Sequence, residues 1–143
     1  MSVVADLVAA LRSRRRLVCL RAADALEKIS RGGTDVIAPY RRQLMQAVVR
    51  TKDPVVRWNL IQVLPRLDHD REAMVRLARR MEVWFLSDAS AIVRVAALEA
   101  VVEFGKRNPS LEALARRMVS EGLTAPSAAV RARARRLARA LAK

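Results

Sequence analysis

Aromatic residues are scarce in this chain: Phe, Trp and Tyr make up 3% of its 143 residues. The core must therefore be aliphatic and rich in alanine. There is one histidine, His69, so a Ser-His or Cys-His nucleophile system has almost nothing to draw on. Asp68 and Asp70 flank it; that run could hold a metal weakly, but reads as a helix-capping turn. The single cysteine, Cys19, excludes an internal disulfide and a multi-cysteine metal site. It lies in an apolar run and reads as a small core residue. None of the four glycines (Gly32, Gly33, Gly105, Gly122) belongs to a phosphate-cradling loop. No run of 18 apolar residues is present, so no membrane span is expected. Residues 1–12 lack the basic start and long apolar middle of a secretion signal, and a cytoplasmic protein without cofactors is the expectation.

What is present favours helices. Apolar residues account for 52% of the chain, and Ala, Leu and Arg dominate. The 28 basic residues outnumber the 14 acidic ones, giving a net charge of +14. An excess of this size suits a polyanionic partner, whether nucleic acid, acidic protein or anionic membrane surface. A genome that spells its basic residues as Arg would produce the same composition. The length fits one domain, 1–143, able to bury roughly two thirds of its unfolded surface.

The sequence repeats every 37 residues. Asp53-Pro54-Val55-Val56-Arg57 returns as Ser90-Ala91-Ile92-Val93-Arg94 and again as Ser127-Ala128-Ala129-Val130-Arg131. Each copy places a capping residue three positions before Val-Arg. Eight helices follow from the periodicity, at about 2–12, 14–31, 35–51, 54–67, 70–86, 90–107, 110–122 and 127–142. They pair into hairpins over about 2–31, 35–67, 70–107 and 110–142. Ile37, Tyr40 and Leu44 correspond to Met74, Leu77 and Met81, then to Leu111, Leu114 and Met118, as one stripe of the first helices. Pro39 and Pro65 fall inside predicted helices and predict a late start and a kink. In the first repeat Leu20-Arg21 lies 36 residues before Val56-Arg57, and the capping residue is missing.

The Asp-Pro-x-Val-Arg run opening a second helix, with Val-Arg at 56–57, 93–94 and 130–131, resembles HEAT repeats, particularly the short bacterial HEAT-like kind. The resemblance covers nearly the whole chain and is best over 35–142. Tetratricopeptide and ankyrin signatures are absent. The resemblance implies an all-α fold, an armadillo-like right-handed α-α superhelix (solenoid) of about four helical hairpins. Its first helices would be convex and its second helices concave. HEAT-like alkylpurine DNA glycosylases invite comparison through Trp58 and Trp84, but no catalytic motif matches, so no catalytic residue is assigned and no enzyme is expected.

Arg57, Arg94 and Arg131, with Arg21 as their counterpart in the first repeat, read as structural forks that bond loop carbonyls or an aspartate such as Asp53 or Asp88. Arg42, Arg79 and Arg116, joined by Arg80 and Arg117, lie opposite the buried stripe of the first helices, on the convex side. They are candidate anion contacts, or simply a solvated face. Opposite the buried stripe of the second helices lie Trp58, Ile61 and Gln62, then Val95, Leu98, Glu99 and Val102. In the last repeat Arg135, Arg136 and Arg139 take these places. The expectation is a non-enzymatic scaffold that presents this concave apolar ridge, with its basic end, to a protein partner or a second copy of itself. The alternative is sequence-nonspecific nucleic-acid binding through the convex and C-terminal arginines, without base stacking, because the last helix has no aromatic residue.

Overall fold

A computed structural model describes residues 2–142, and every regular element among them is helical. The α-helices are α1 (Val3–Ala10), α2 (Arg16–Arg31), α3 (Arg41–Arg50), α4 (Pro54–Val63), α5 (Arg71–Ser87), α6 (Ala91–Arg107), α7 (Glu112–Gly122) and α8 (Ala128–Leu141). Short 3-10 turns occupy Ala38–Tyr40, Leu64–Arg66 and Pro109–Leu111. Each of these turns contains a proline, which lacks the N–H that an α-helix interior needs. Pro39 thus delays the α-helix to Arg41, and Pro65 converts the end of α4 into a 3-10 turn instead of kinking a continuous helix.

The capping residues act where the repeat places them. Asp53 Oδ1 accepts from Val55 N at 2.9 Å, Asp70 Oδ1 from Ala73 N at 2.7 Å, and Ser127 Oγ from Val130 N at 3.4 Å. Ser90 caps α6 through Val93 N. Each bond satisfies one of the helix's orphan amide donors and contributes about 1 kcal/mol. α2 follows Arg15, whose side chain makes no cap bond.

The helices form two compact units, divided between Asp68 and His69. In the amino-terminal unit α2 packs against α1 and α4, and α3 packs against α4. Its centre is aliphatic, with Leu26, Leu44, Val48, Leu60 and Val63 fully buried. In the carboxy-terminal unit α6 is the central element and touches α5, α7 and α8. Met81, Ala97, Val101, Phe104 and Met118 are fully buried there. α7 and α8 approach so closely at Gly122 that an added Cβ would stand 2.8 Å from the Ala134 methyl.

The burial pattern corrects the reading of the first repeat. Buried positions of α2 are Ala22, Ala23, Leu26, Glu27 and Ser30. Thirty-seven residues on lie Asn59, Leu60, Val63, Leu64 and Leu67, all buried, and then Ala96, Ala97, Ala100, Val101 and Phe104, all buried again. The period is therefore 37 in the first repeat too. Leu20, not Arg21, is the counterpart of Arg57, and Arg21 is exposed.

The register puts a carboxylate in the core. Glu27 is 2% exposed and takes the place held by Leu64 and Val101 in later repeats. Arg31 grips it with two hydrogen bonds, at 2.6 and 2.7 Å. Arg66, from the 3-10 turn, donates to Glu27 Oε2 at 2.7 Å and to Ser30 Oγ at 2.6 Å. Burial pushes the Glu27 carboxyl up, but these two guanidinium groups more than reverse that and hold it below its ordinary value.

Candidate binding surfaces

The repeated arginines are structural. Arg57 donates through Nε to the Val48 carbonyl at 3.0 Å and through its fork to Val49 and Thr51. Arg94 Nε donates to the Phe85 carbonyl at 3.1 Å. Arg131 donates to the Ala125 and Pro126 carbonyls, both at 2.8 Å. Val48, Val49 and Phe85 lie in the last turn of a first helix, and Thr51, Ala125 and Pro126 in the loop after one; such carbonyls have no intrahelical donor, and a planar fork of N–H groups supplies one. Asp53 is bound otherwise: Arg16 Nε donates to it at 2.5 Å. Burial pushes the Asp53 carboxyl up, but its cap bonds from Val55 and Val56 and the Arg16 guanidinium hold it below its ordinary value.

Half-buried Cys19 donates to the Leu11 carbonyl at 3.4 Å. Burial and the Asp53 charge raise its thiol above the ordinary value despite Arg50, which disfavours the reactive thiolate. His69 stands edge-on to Phe104, with ring centroids 5.9 Å apart, and Asp70 beside it caps α5. Among the described residues no group of three His, Cys, Asp or Glu side chains lies close enough to hold a metal ion. Nor, among them, is any helix long and apolar enough to cross a membrane.

The apolar ridge expected on the second helices is not an open surface. Ile61 and Leu98 are fully buried and Val102 is 2% exposed. Trp58, Gln62, Val95 and Glu99 are half-buried. A helical wheel offers one buried stripe and one free face, which suits a helix with a single neighbour. α6 has three, and Leu98 reaches the α7–α8 junction, 3.5 Å from the position of a Gly122 Cβ. α4 is likewise held by α2 and α3. Glu99 pairs with Arg133 of α8. Trp84, the other tryptophan compared with the glycosylase cleft, is buried.

The arginines are exposed. Among the described residues Arg42, Arg79, Arg80, Arg135, Arg136 and Arg139 form no ion pair. Arg116 lies 3.6 Å from Glu112, and Arg117 donates to Glu82 at 2.8 Å. The arginines of the first helices thus divide into free and neutralised members, and the end of α8 is a cationic face without acid.

A groove not visible in any single helix lies between α5 and α7. Both pack on α6. Glu82 meets Arg117, and Phe85 lies next to Gly122 farther along, so the two helices advance in the same direction. The groove encloses about 590 Å³. Val75, Val83, Leu111 and Leu114 supply its apolar lining, and Arg79 and Arg117 its basic rim. Val83 is 54% exposed. A second hollow of about 410 Å³ on α5 shares Val75 and Arg79 and adds Arg71, Glu72 and Arg76. The sequence did hold one signal of exposed apolar positions. Val49, Leu86 and Leu123 recur at 37-residue spacing at the ends of the first helices, and all three are exposed.

Comparison with family models, curated proteins and solved structures finds no match for the chain.

Proposed function

We propose that the chain is a non-enzymatic binding module whose hairpins stack as a HEAT-like solenoid and whose partner is an acidic protein. The reading rests on one observation: exposed apolar and unpaired basic side chains share a face of α5. Arg79 and Arg80 lie three and four residues after Arg76, Val83 lies four and three residues after them, and Leu86 is one turn beyond. Phosphate backbones offer no apolar group to such a face, whereas a protein surface offers both kinds. The apolar contribution moves from the second helices, where Ile61, Leu98 and Val102 are buried, to the first helices.

A second reading, nonspecific nucleic-acid binding, is favoured by α8 alone. Arg135, Arg136 and Arg139 are exposed and unpaired, and no large apolar residue is exposed among them. Capture from the source cell separates the two readings. Cross-linked partners are collected with the natural chain, with Arg76, Arg79 and Arg80 all changed to Glu, and with Arg135, Arg136 and Arg139 all changed to Glu. Nuclease-resistant proteins that disappear with the α5 variant support the protein reading. Material that is nuclease-sensitive and disappears only with the α8 variant overturns it in favour of the second.

A further inference from the structure

The α5–α7 groove has a shape and charge that select its occupant. Its lining from Val75 to Val83 covers nine residues of α5, about 12 Å at the rise of an α-helix. Two helices that run in parallel with a gap between them form a trough, and the side chains that best fill a trough are those projecting from one face of a third helix. The lining is apolar and the rim is cationic. Among the described residues that line the groove the one carboxylate, Glu82, is already answered by Arg117, so Arg79 is left without a counter-charge; in the adjoining hollow Arg71 and Arg76 outnumber Glu72.

We infer that the α5–α7 groove binds an amphipathic acidic helix of about two to three turns, apolar residues seated on Val75, Val83 and Leu114, carboxylates facing Arg76 and Arg79. The inference rests on the acidic-protein reading above and specifies its site. A second copy of this chain is a poor occupant, because at a net charge of +14 it would bring like charge to a cationic rim. Nucleic acid would satisfy the arginines and leave the apolar lining uncovered. An acidic amphipathic helix satisfies both, and the unpaired rim charges speed its encounter.

The probe is a fluorescent peptide of about 14 residues, a length at which a free helix is marginal and docking completes it. It carries leucines at i, i+3, i+4 and i+7, flanked by glutamates. A scrambled peptide of the same composition and a version with lysine in place of glutamate serve as comparisons. The amphipathic acidic peptide is expected to bind, with the scrambled peptide at least tenfold weaker and the lysine version not binding. Val83→Asp places a charge in the lining without touching the core and is expected to weaken binding at least about tenfold. Arg79→Glu should weaken it several-fold and Arg135→Glu should leave it unchanged. Each variant is first shown to be folded by circular dichroism and thermal melting. Equal binding of the scrambled peptide, unchanged binding by folded Val83→Asp, or no binding of the acidic peptide overturns the inference. If the peptide fails while cellular proteins are still captured through Arg76, Arg79 and Arg80, the groove assignment falls and the broader function stands.

Discussion

At one position of the repeat, α2 buries a carboxylate and α6 buries an aliphatic side chain. Glu27 and Ser30 stand where the third repeat has Val101 and Phe104, and all four are buried. The repeat therefore dictates which positions are covered, and it leaves open what covers them. A carboxylate is tolerable in the amino-terminal unit only because Arg31 arrives from the next helical turn and Arg66 from the 3-10 turn after α4. At the positions matching Arg31 and Arg66, 74 residues on, stand Gly105 and Ala140, neither of which carries a charge. The same contrast holds on the surface. The hollow between α1 and α3 is about 230 Å³ and sets Gln43 and Gln46 among Val8, Leu11 and Ala47, whereas the α5–α7 groove is about 590 Å³; the residue that differs at one matching position is Gln46 in the first and Val83 in the second.

The sharpest way to break the comparison is to exchange the core residues. Val101→Glu buries a carboxylate with no cation to receive it, and it should cost more than about 4 kcal/mol and unfold the carboxy-terminal unit. Each unit has one tryptophan, Trp58 or Trp84, so urea titrations of single-tryptophan versions report on each separately. A loss below about 1 kcal/mol would mean that the core around Val101 admits charge as α2 does.

Next in size is Glu27→Ala, which strands Arg66 and should cost about 3 kcal/mol. Replacing both partners, as Glu27→Leu with Arg66→Met, makes the first repeat resemble the third and should be neutral or stabilising. If the double variant is as unstable as Glu27→Ala, the cluster does more than fill space. Acid should single out the same cluster. Glu27 and Asp53 are held below their ordinary values in the folded chain, so the folded state binds fewer protons than the unfolded one. Their contribution is fully present above about pH 4 to 4.5 and is lost as pH falls through the folded values. Stability measured between pH 5 and pH 3 should fall less steeply for the double variant than for the natural chain. Equal slopes would show that other carboxylates carry the acid response.

The sequence made the helices legible because their signals are local. Asp53, Asp70, Ser90 and Ser127 each cap the helix that they precede, and an α-helix starts two residues after Pro39 and ends two residues before Pro65. The carbonyl-clamping role of Arg57, Arg94 and Arg131 was legible as well, since fork and acceptors lie within ten residues of each other. What could not be read depends on third parties. Leu98 looks free on a wheel of α6, and α8 covers that side. Of the two partners of Glu27, Arg31 is one turn away but Arg66 lies 39 residues away, in a turn. The α5–α7 groove is a gap between two helices, and no periodicity within either helix records its width.

The smallest expected effect tests whether the surface contrast is independent of folding. Val83 is 54% exposed, so Val83→Gln, which copies the polar residue at the matching position of the amino-terminal unit, removes little buried area. Stability in urea should stay within about 0.5 kcal/mol of the natural chain. A larger loss would mean that Val83 supports the packing of α5 on α6. The groove's apolar lining would then be a by-product of the core and not a separate feature of the carboxy-terminal unit. An unchanged midpoint places Val83 outside the folding energetics altogether, which leaves its exposure to be explained by what docks there.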